Sequence, residues 1–294
     1  MPAAVRRQAA HVRASYTRET PSLAAPGIPR STNLSIRGGL GLDICTAPQR
    51  RLRALLALGM FNHGPTSRWP RHVSLADVTR YTLVVSPRYD DLVITTRAPD
   101  NVTCWLVGRE DHPQIGLPGL RVESRYEDGW RLRHVPTGAT MTVTGDQHGR
   151  LRGPQVHSSY YPHLWMIDMP VTDEEHTTLK ALPDLSADAE ALLAALTVRL
   201  CTHDPDGNWD IAMWYYDPTE RRPARGHTHQ RRLSVEDNQC TLHWDSNPHP
   251  EDLYAVLTHP VIGLAGAGGQ STHDGWTLQY RSARLNAHPA AYRP

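Results

Sequence analysis

The words "IGLPGLRVESRYEDGW", residues 115–130, return as "IGLAGAGGQSTHDGW", residues 262–276. Both carry I-G-L-x-G and then, after nearly equal gaps, D-G-W-x-L, in a chain with only eight tryptophans. The match points to an internal repeat, which restricts the fold more than any other feature of the sequence. Two unrelated D-G hairpins are the plainer alternative.

Support comes from upstream. "ALLALG" from Ala54 is echoed by "ALLAAL" from Ala191, and Asp100-Asn101 with Cys104 by Asp237-Asn238 with Cys240. The D-G-W words are displaced further than these pairs are, which predicts an insertion after Cys240, with "HWDSNPHPEDLYAVLTHP" as the candidate. The expected organisation is a flexible basic arm over 1–42, a first module over 43–150, a linker with a short helix over 151–183, and a second module over 184–294.

The local grammar gives an α+β class, each module a helix plus an antiparallel sheet with a D-G hairpin. Leu52, Leu55, Leu56 and Leu58 recur near helical spacing and stop at Gly59, which predicts an amphipathic helix. "YTLVVSPRY" and "DLVITTR" are β-branched runs bracketed by Pro87 and Pro99, so they read as strands. Asp128-Gly129 suits a type I′ turn. After it, alternation buries Trp130, Leu132, Met141 and Val143 and turns Thr140, Thr142 and Thr144 to water; Trp276, Leu278 and Tyr280 take the buried places in the second copy. Between the modules, Thr172 with Glu175 makes a capping box, and Ser186 with Asp188 opens a helix running to about Arg199. Asp173, Glu174 and Glu175 fit a first helical turn better than a catalytic carboxylate pair.

Residues 1–35 hold five arginines against the single acid Glu19, a composition that suggests a disordered arm. The chain is 39% hydrophobic and 21% charged with net charge +1, so no global field favours nucleic acid or a membrane surface. No apolar run is long enough to span a bilayer, and Cys45, Cys104, Cys201 and Cys240 form no C-x-x-C, so buried reduced thiols in a cytoplasmic protein are expected.

At "VVSPRYDD", Ser86-Pro87-Arg88-Tyr89 at a strand end, with a G-W-x-L strand downstream, resembles the actinobacterial, especially streptomycete, proteins named for a Ser-Pro-Asp-Tyr motif. Arg88 stands where that motif has Asp, and the second module offers Trp214-Tyr215-Tyr216-Asp217-Pro218 in its place. The resemblance implies an actinobacterial origin, with plasmid or regulatory functions as a setting, and a repeated small α+β domain. It carries over no site residues.

For chemistry, the densest candidate is the segment "ERRPARGHTHQRR" and its approach. Arg221, Arg222, Arg225, Arg231 and Arg232 offer forked donors for phosphate or carboxylate, and Trp214, Tyr215 and Tyr216 could stack on bases. The densest histidine set is His227 and His229 with His243, His249, His259 and His273; His227 and His229, with an acid such as Asp245 or Glu251, are the metal candidates, opposed by the neighbouring guanidinium charges. "GLAGAGGQS" lacks the signature of a phosphate cradle and reads as a flexible connection; neither G-x-S-x-G nor H-E-x-x-H occurs. The expected function is therefore non-catalytic binding to a protein or nucleic acid, with no cofactor, no catalytic residue and no membrane, specificity lying in 217–232 and 243–252. The alternative is a metal-dependent hydrolase or nuclease using His and Asp of the second module.

Overall fold

The computed structural model describes residues 2–30, 39–62, 75–108, 116–153, 164–211, 231–244, 248, 250–272 and 275–289. In the first half, helix α3 (Ala47–Met60) and the short helix α4 (Ala76–Tyr81) precede strands β1 (Thr82–Pro87) and β2 (Asp91–Thr96), helix α5 (Pro99–Leu106), and strands β3 (Leu120–Tyr126), β4 (Gly129–His134) and β5 (Thr140–Thr144). In the second, α7 (Ala187–Val198) precedes β6 (Arg231–Glu236), β7 (Gln239–Trp244), α8 (Pro250–Thr258), β8 (Gly268–Thr272), β9 (Gly275–Tyr280) and β10 (Ala283–Pro289). The sheets have orders β1-β2-β5-β4-β3 and β6-β7-β10-β9-β8. Each contains one parallel pair, β2 with β5 and β7 with β10, and antiparallel pairs elsewhere.

The registers agree as closely as the topology. Leu132 lies opposite Met141, which lies opposite Leu92; Leu278 lies opposite Leu285, which lies opposite Cys240. Trp130 and Trp276 therefore hold the same place, both buried, each beneath the helix that follows its second strand. The indole of Trp130 donates to Asp100 Oδ1 of α5 at 2.8 Å, and Trp276 meets the ring of Tyr254 of α8 at 5.6 Å.

The repeated words encode one local device. Leu117 N–H bonds the Leu106 carbonyl at the end of α5, and Leu264 N–H bonds the Leu257 carbonyl near the end of α8. Leu120 N–H then closes a turn onto Leu117 O, and Ala267 N–H onto Leu264 O. The third residues of those turns, Gly119 and Gly266, have φ of +79° and +83°, the region that a type II turn reserves for glycine. The connection read as flexible from "GLAGAGGQS" is thus a defined turn leading into β8.

Three expectations about the repeat are corrected. Asp100-Asn101 sits in the first turn of α5, whereas Asp237-Asn238 is the β6–β7 hairpin; its counterpart in the first half is the β1–β2 hairpin around Tyr89-Asp90. The segment taken for an insertion contains α8, the counterpart of α5. The β3–β4 turn falls on Glu127-Asp128 with neither residue at positive φ, so it is not type I′. Gly129 is required for a different reason: a Cβ there would stand 2.3 Å from the Val143 carbonyl oxygen.

Helices α3 and α7 pack against each other between the sheets. Thr46 and Ser186 cap them by accepting from the backbone N–H groups of Gln49 and Ala189. The expected amphipathic pattern of α3 gives way to burial all round from Leu52 to Met60, because a helix shared by two modules has no solvent side. Each helix continues into the opposite module. Asn62, just beyond α3, accepts from Leu233 N–H at 3.1 Å and donates to Leu233 O at 2.9 Å on β6. Cys201, just beyond α7, donates its thiol to Thr82 O at 3.6 Å on β1. Buried apolar residues of both halves accordingly form one contiguous core holding both tryptophans.

The arm expected to be disordered is folded wherever it is described. Helix α1 (Ala3–Thr17) buries Arg13 in a two-pronged pair with Glu19, at 2.6 and 2.9 Å, and the same guanidinium donates to Pro87 O at 3.0 Å. Arg18 pairs with Asp210, and Arg6 donates to Ala25 O at 2.8 Å. Composition alone could not show that the arginines find acceptors distant in sequence. Helix α2 (Pro21–Ala24) lays Leu23 on Val84 and Val93 at the back of the first sheet. The Ser86–Tyr89 stretch is part of this anchoring: Ser86 donates to Leu23 O, Pro87 O receives Arg13, and Tyr89 O receives the Thr46 N–H.

In the linker, α6 (Asp173–Ala181) carries the expected capping box of Thr172 and Glu175. Glu175 does more than cap: its carboxylate takes two bonds from buried Arg121, at 2.9 and 2.6 Å, and one from Gly119 N–H at 2.6 Å. Burial alone would push the Glu175 carboxyl up, but these donors outweigh it and hold the group below the usual carboxylate range.

Candidate functional site

Strict alternation in the second sheet leaves one face polar. Behind the apolar face that carries Leu233, Leu242, Leu278 and Leu285, the other side presents Arg232 and Ser234 from β6, Thr241 and His243 from β7, Asn286 and His288 from β10, and Gln270 from β8. Register aligns Arg232, His243 and His288 across three adjacent strands. The two imidazoles stack with centroids 5.1 Å apart and planes 22° from parallel. Burial, then the neighbouring His288 and Arg232 charges, hold His243 below its ordinary value. A second rung of Ser234, Thr241, Asn286, Thr277 and Gln270 adds hydroxyl and amide groups, with Thr277 Oγ1 bonded to Asn286 Oδ1 at 3.2 Å. Such a row of forked and ring N–H donors suits carboxylate or phosphate oxygens.

The corresponding face of the first sheet is shut. Thr140, Thr142 and Thr144, expected to face water, are buried. Leu23 and Gly149 close over Val93; Gly149, at φ +66°, leaves no room for a Cβ, which would lie 2.4 Å from Leu23 Cδ1. Ser22 bonds the His148 ring and Thr20 the Gln147 carbonyl, fastening α2 across the face. Asp91 is enclosed there with Arg131 at 2.7 Å and the Thr140 and Thr142 hydroxyls. Burial raises the Asp91 carboxyl above its ordinary range despite Arg131.

Of the residues singled out from sequence, Trp214, Tyr215, Tyr216, Arg221, Arg222, Arg225, His227, His229, Asp245, His249 and His273 lie outside the described residues. Arg231 does not face a ligand: it is buried, and its guanidinium bonds Met60 O at 3.3 Å and Thr79 Oγ1 at 3.1 Å, tying β6 to the end of α3. One residue along a strand reverses the side-chain direction, so Arg231 and Arg232 cannot share a role. Arg232 remains on the polar face. Glu251 sits in the first turn of α8. His243, one of the singled-out histidines, pairs with His288, which the sequence reading left out although the alternation of "QCTLHW" and "ARLNAHP" turns both outward.

Among the described residues no group of three or more His, Cys, Asp or Glu is arranged to hold a metal ion. The four cysteines are free, and burial pushes the Cys201 and Cys240 thiols up to about 12, which removes thiolate character. No described helix is long and apolar enough to cross a membrane. No protein-family model matches this chain, no curated protein matches it, and no solved structure matches it.

Proposed function

We propose that the chain is a non-catalytic binding protein built by duplication of one α+β module, in which the first copy became scaffold and the second kept an open face for a partner. The observation that carries this reading is the asymmetry between two sheets of identical strand order: the first is sealed by α2 and residues 146–150, whereas the second presents Arg232, His243 and His288 side by side. Shared registers and matching glycine turns support the duplication. The Ser86-Pro87-Arg88-Tyr89 resemblance agrees with a repeated domain.

The partner we favour is an acidic protein surface. Net charge of +1 gives little long-range pull on a polyanion, whereas a short row of donors matches a few carboxylates at close range. Arg221, Arg222 and Arg225 precede β6 in sequence and extend the same preference. The test is fluorescence anisotropy with labelled poly-glutamate and, separately, a labelled single-stranded oligonucleotide. Expected is salt-sensitive capture of poly-glutamate, weakened about tenfold or more by Arg232→Glu and by the double variant His243→Gln/His288→Gln, each with unchanged circular dichroism. Preferential capture of the oligonucleotide would transfer the assignment to nucleic acid, and indifference to all these substitutions would remove the face from the function. The competing reading, a metal-dependent hydrolase or nuclease using His227 and His229, requires zinc or manganese to raise the melting temperature and a chelator to reverse the rise.

A further inference from the structure

The two sheets of the described residues have four edges, and each is a potential template for another strand. Three are met by the chain itself. Edge β1 receives Cys201 at Thr82, and edge β6 receives Asn62 at Leu233. Edge β3 is closed more fully: Val122 N–H bonds Trp165 O, Ile167 N–H bonds Val122 O, and Met166 forms a parallel bridge to Val122. That edge also carries Arg121, Glu123 and Arg125 and an irregularity between Val122 and Ser124, the features by which edges resist pairing.

Edge β8 has none of these. Its five residues, Gly-Gly-Gln-Ser-Thr, are all exposed, contain no charge and no proline, and pair with β9 without a register shift. Among the described residues nothing bonds its outer side. The position equivalent to Val122 is Gly269, since Val122 lies opposite Leu132 and Gly269 opposite Leu278. By that equivalence the backbone groups of Gly269 and Ser271 point outward, where the first module binds Trp165–Ile167.

We infer that β8 pairs with β8 of a second copy of this chain, antiparallel about a two-fold axis near Gln270, joining two second sheets edge to edge. A foreign strand is less suited because the anchor it would need is filled. In the first module Trp165 packs against Gly108, where even a Cβ would stand 2.6 Å from its ring. The equivalent position in the second module, two residues past the carbonyl that receives the repeat leucine, is His259, whose ring is covered by Tyr16 at 5.0 Å and Trp209 at 5.8 Å. Recognition at β8 is left to main-chain bonds and small uncharged side chains, which are self-complementary under a two-fold axis and bring no like charges together. The strand is short, so the association is weak, with a dissociation constant of about micromolar or above.

Sedimentation velocity on the full chain, from about 1 µM to about 1 mM, reads the proposal directly. The weight-average mass rises from monomer towards dimer. Ser271→Pro removes an outward donor while sparing the bonds to β9, and Gln270→Lys places two ammonium groups across the axis. Each weakens association about tenfold or more with unchanged circular dichroism, and added salt restores the Gln270→Lys dimer but not the Ser271→Pro one. A chain that stays monomeric at the highest concentration, or a dimer insensitive to both substitutions, overturns the inference.

Discussion

Asn62 offers the sharpest test of whether two modules with one core unfold as one body. Its side chain is buried and spans the modules: it accepts from Leu233 N–H at 3.1 Å and donates to Leu233 O at 2.9 Å and Leu58 O at 2.7 Å. Asn62→Ala strands the Leu233 N–H and carbonyl away from water. An unsatisfied buried group costs roughly 1–3 kcal/mol, so the pair, with a small cavity, amounts to about 3–4 kcal/mol. Equilibrium urea unfolding provides two independent views, tryptophan fluorescence and amide exchange of β4 and β9. In the intact chain both strands lose protection in one transition, and in Asn62→Ala both midpoints fall together. Two separated transitions in the wild type, or a substitution that moves the β9 midpoint and leaves β4 where it was, would show that the halves unfold independently. A loss under about 0.5 kcal/mol would equally show that Leu233 does not depend on Asn62.

Further predictions rest on other parts of the molecule. His134 is buried between Thr137 Oγ1 at 2.9 Å and Pro118 O at 3.1 Å, and burial lowers it from the ordinary 6.5 to about 4. The unfolded chain therefore binds the extra proton first; stability is full above about pH 6.5, falls as pH drops towards 4, and levels off below, a loss of roughly 3 kcal/mol that His134→Gln abolishes in acid-titrated urea melts. Arg121→Met leaves Glu175 buried without its partner and lowers stability by about 3–5 kcal/mol, while Arg121→Met/Glu175→Gln recovers part of the loss in the same melts. Gly129→Ala forces a Cβ to 2.3 Å from the Val143 carbonyl oxygen and costs about 1–3 kcal/mol, whereas Gly138→Ala, at φ +74° with nothing within 4 Å, costs only the left-handed strain of about 1 kcal/mol in thermal denaturation. Equal losses at the two glycines would show that crowding at Gly129 is absent.

Features that depend on neighbours in the chain can be read from the residues directly. The α+β class, the caps at Thr172 and Ser186, the strands around "LVVSP" and "LVITT", and the core places of Trp130 and Trp276 all follow from spacing, because side-chain period and capping act over a few residues. Repetition was legible for the same reason, although pairing Asp100-Asn101 with Asp237-Asn238 matched letters that serve a helix and a hairpin. Features that depend on distant partners were set by folding. Arg13 is a buried ion-pair member and not part of a loose arm because Glu19 and Pro87 O converge on it; Arg231 is a tie to Met60 and not a ligand contact because β6 lies over the end of α3. The three threonines of β5 are covered because the Asp91–Arg131 pair, residues 146–150 and α2, from far upstream, converge on that face, while the same face of the second sheet leaves His243 exposed. Alternation says which residues share a face, but whether that face meets water is set by packing, which no local spacing encodes.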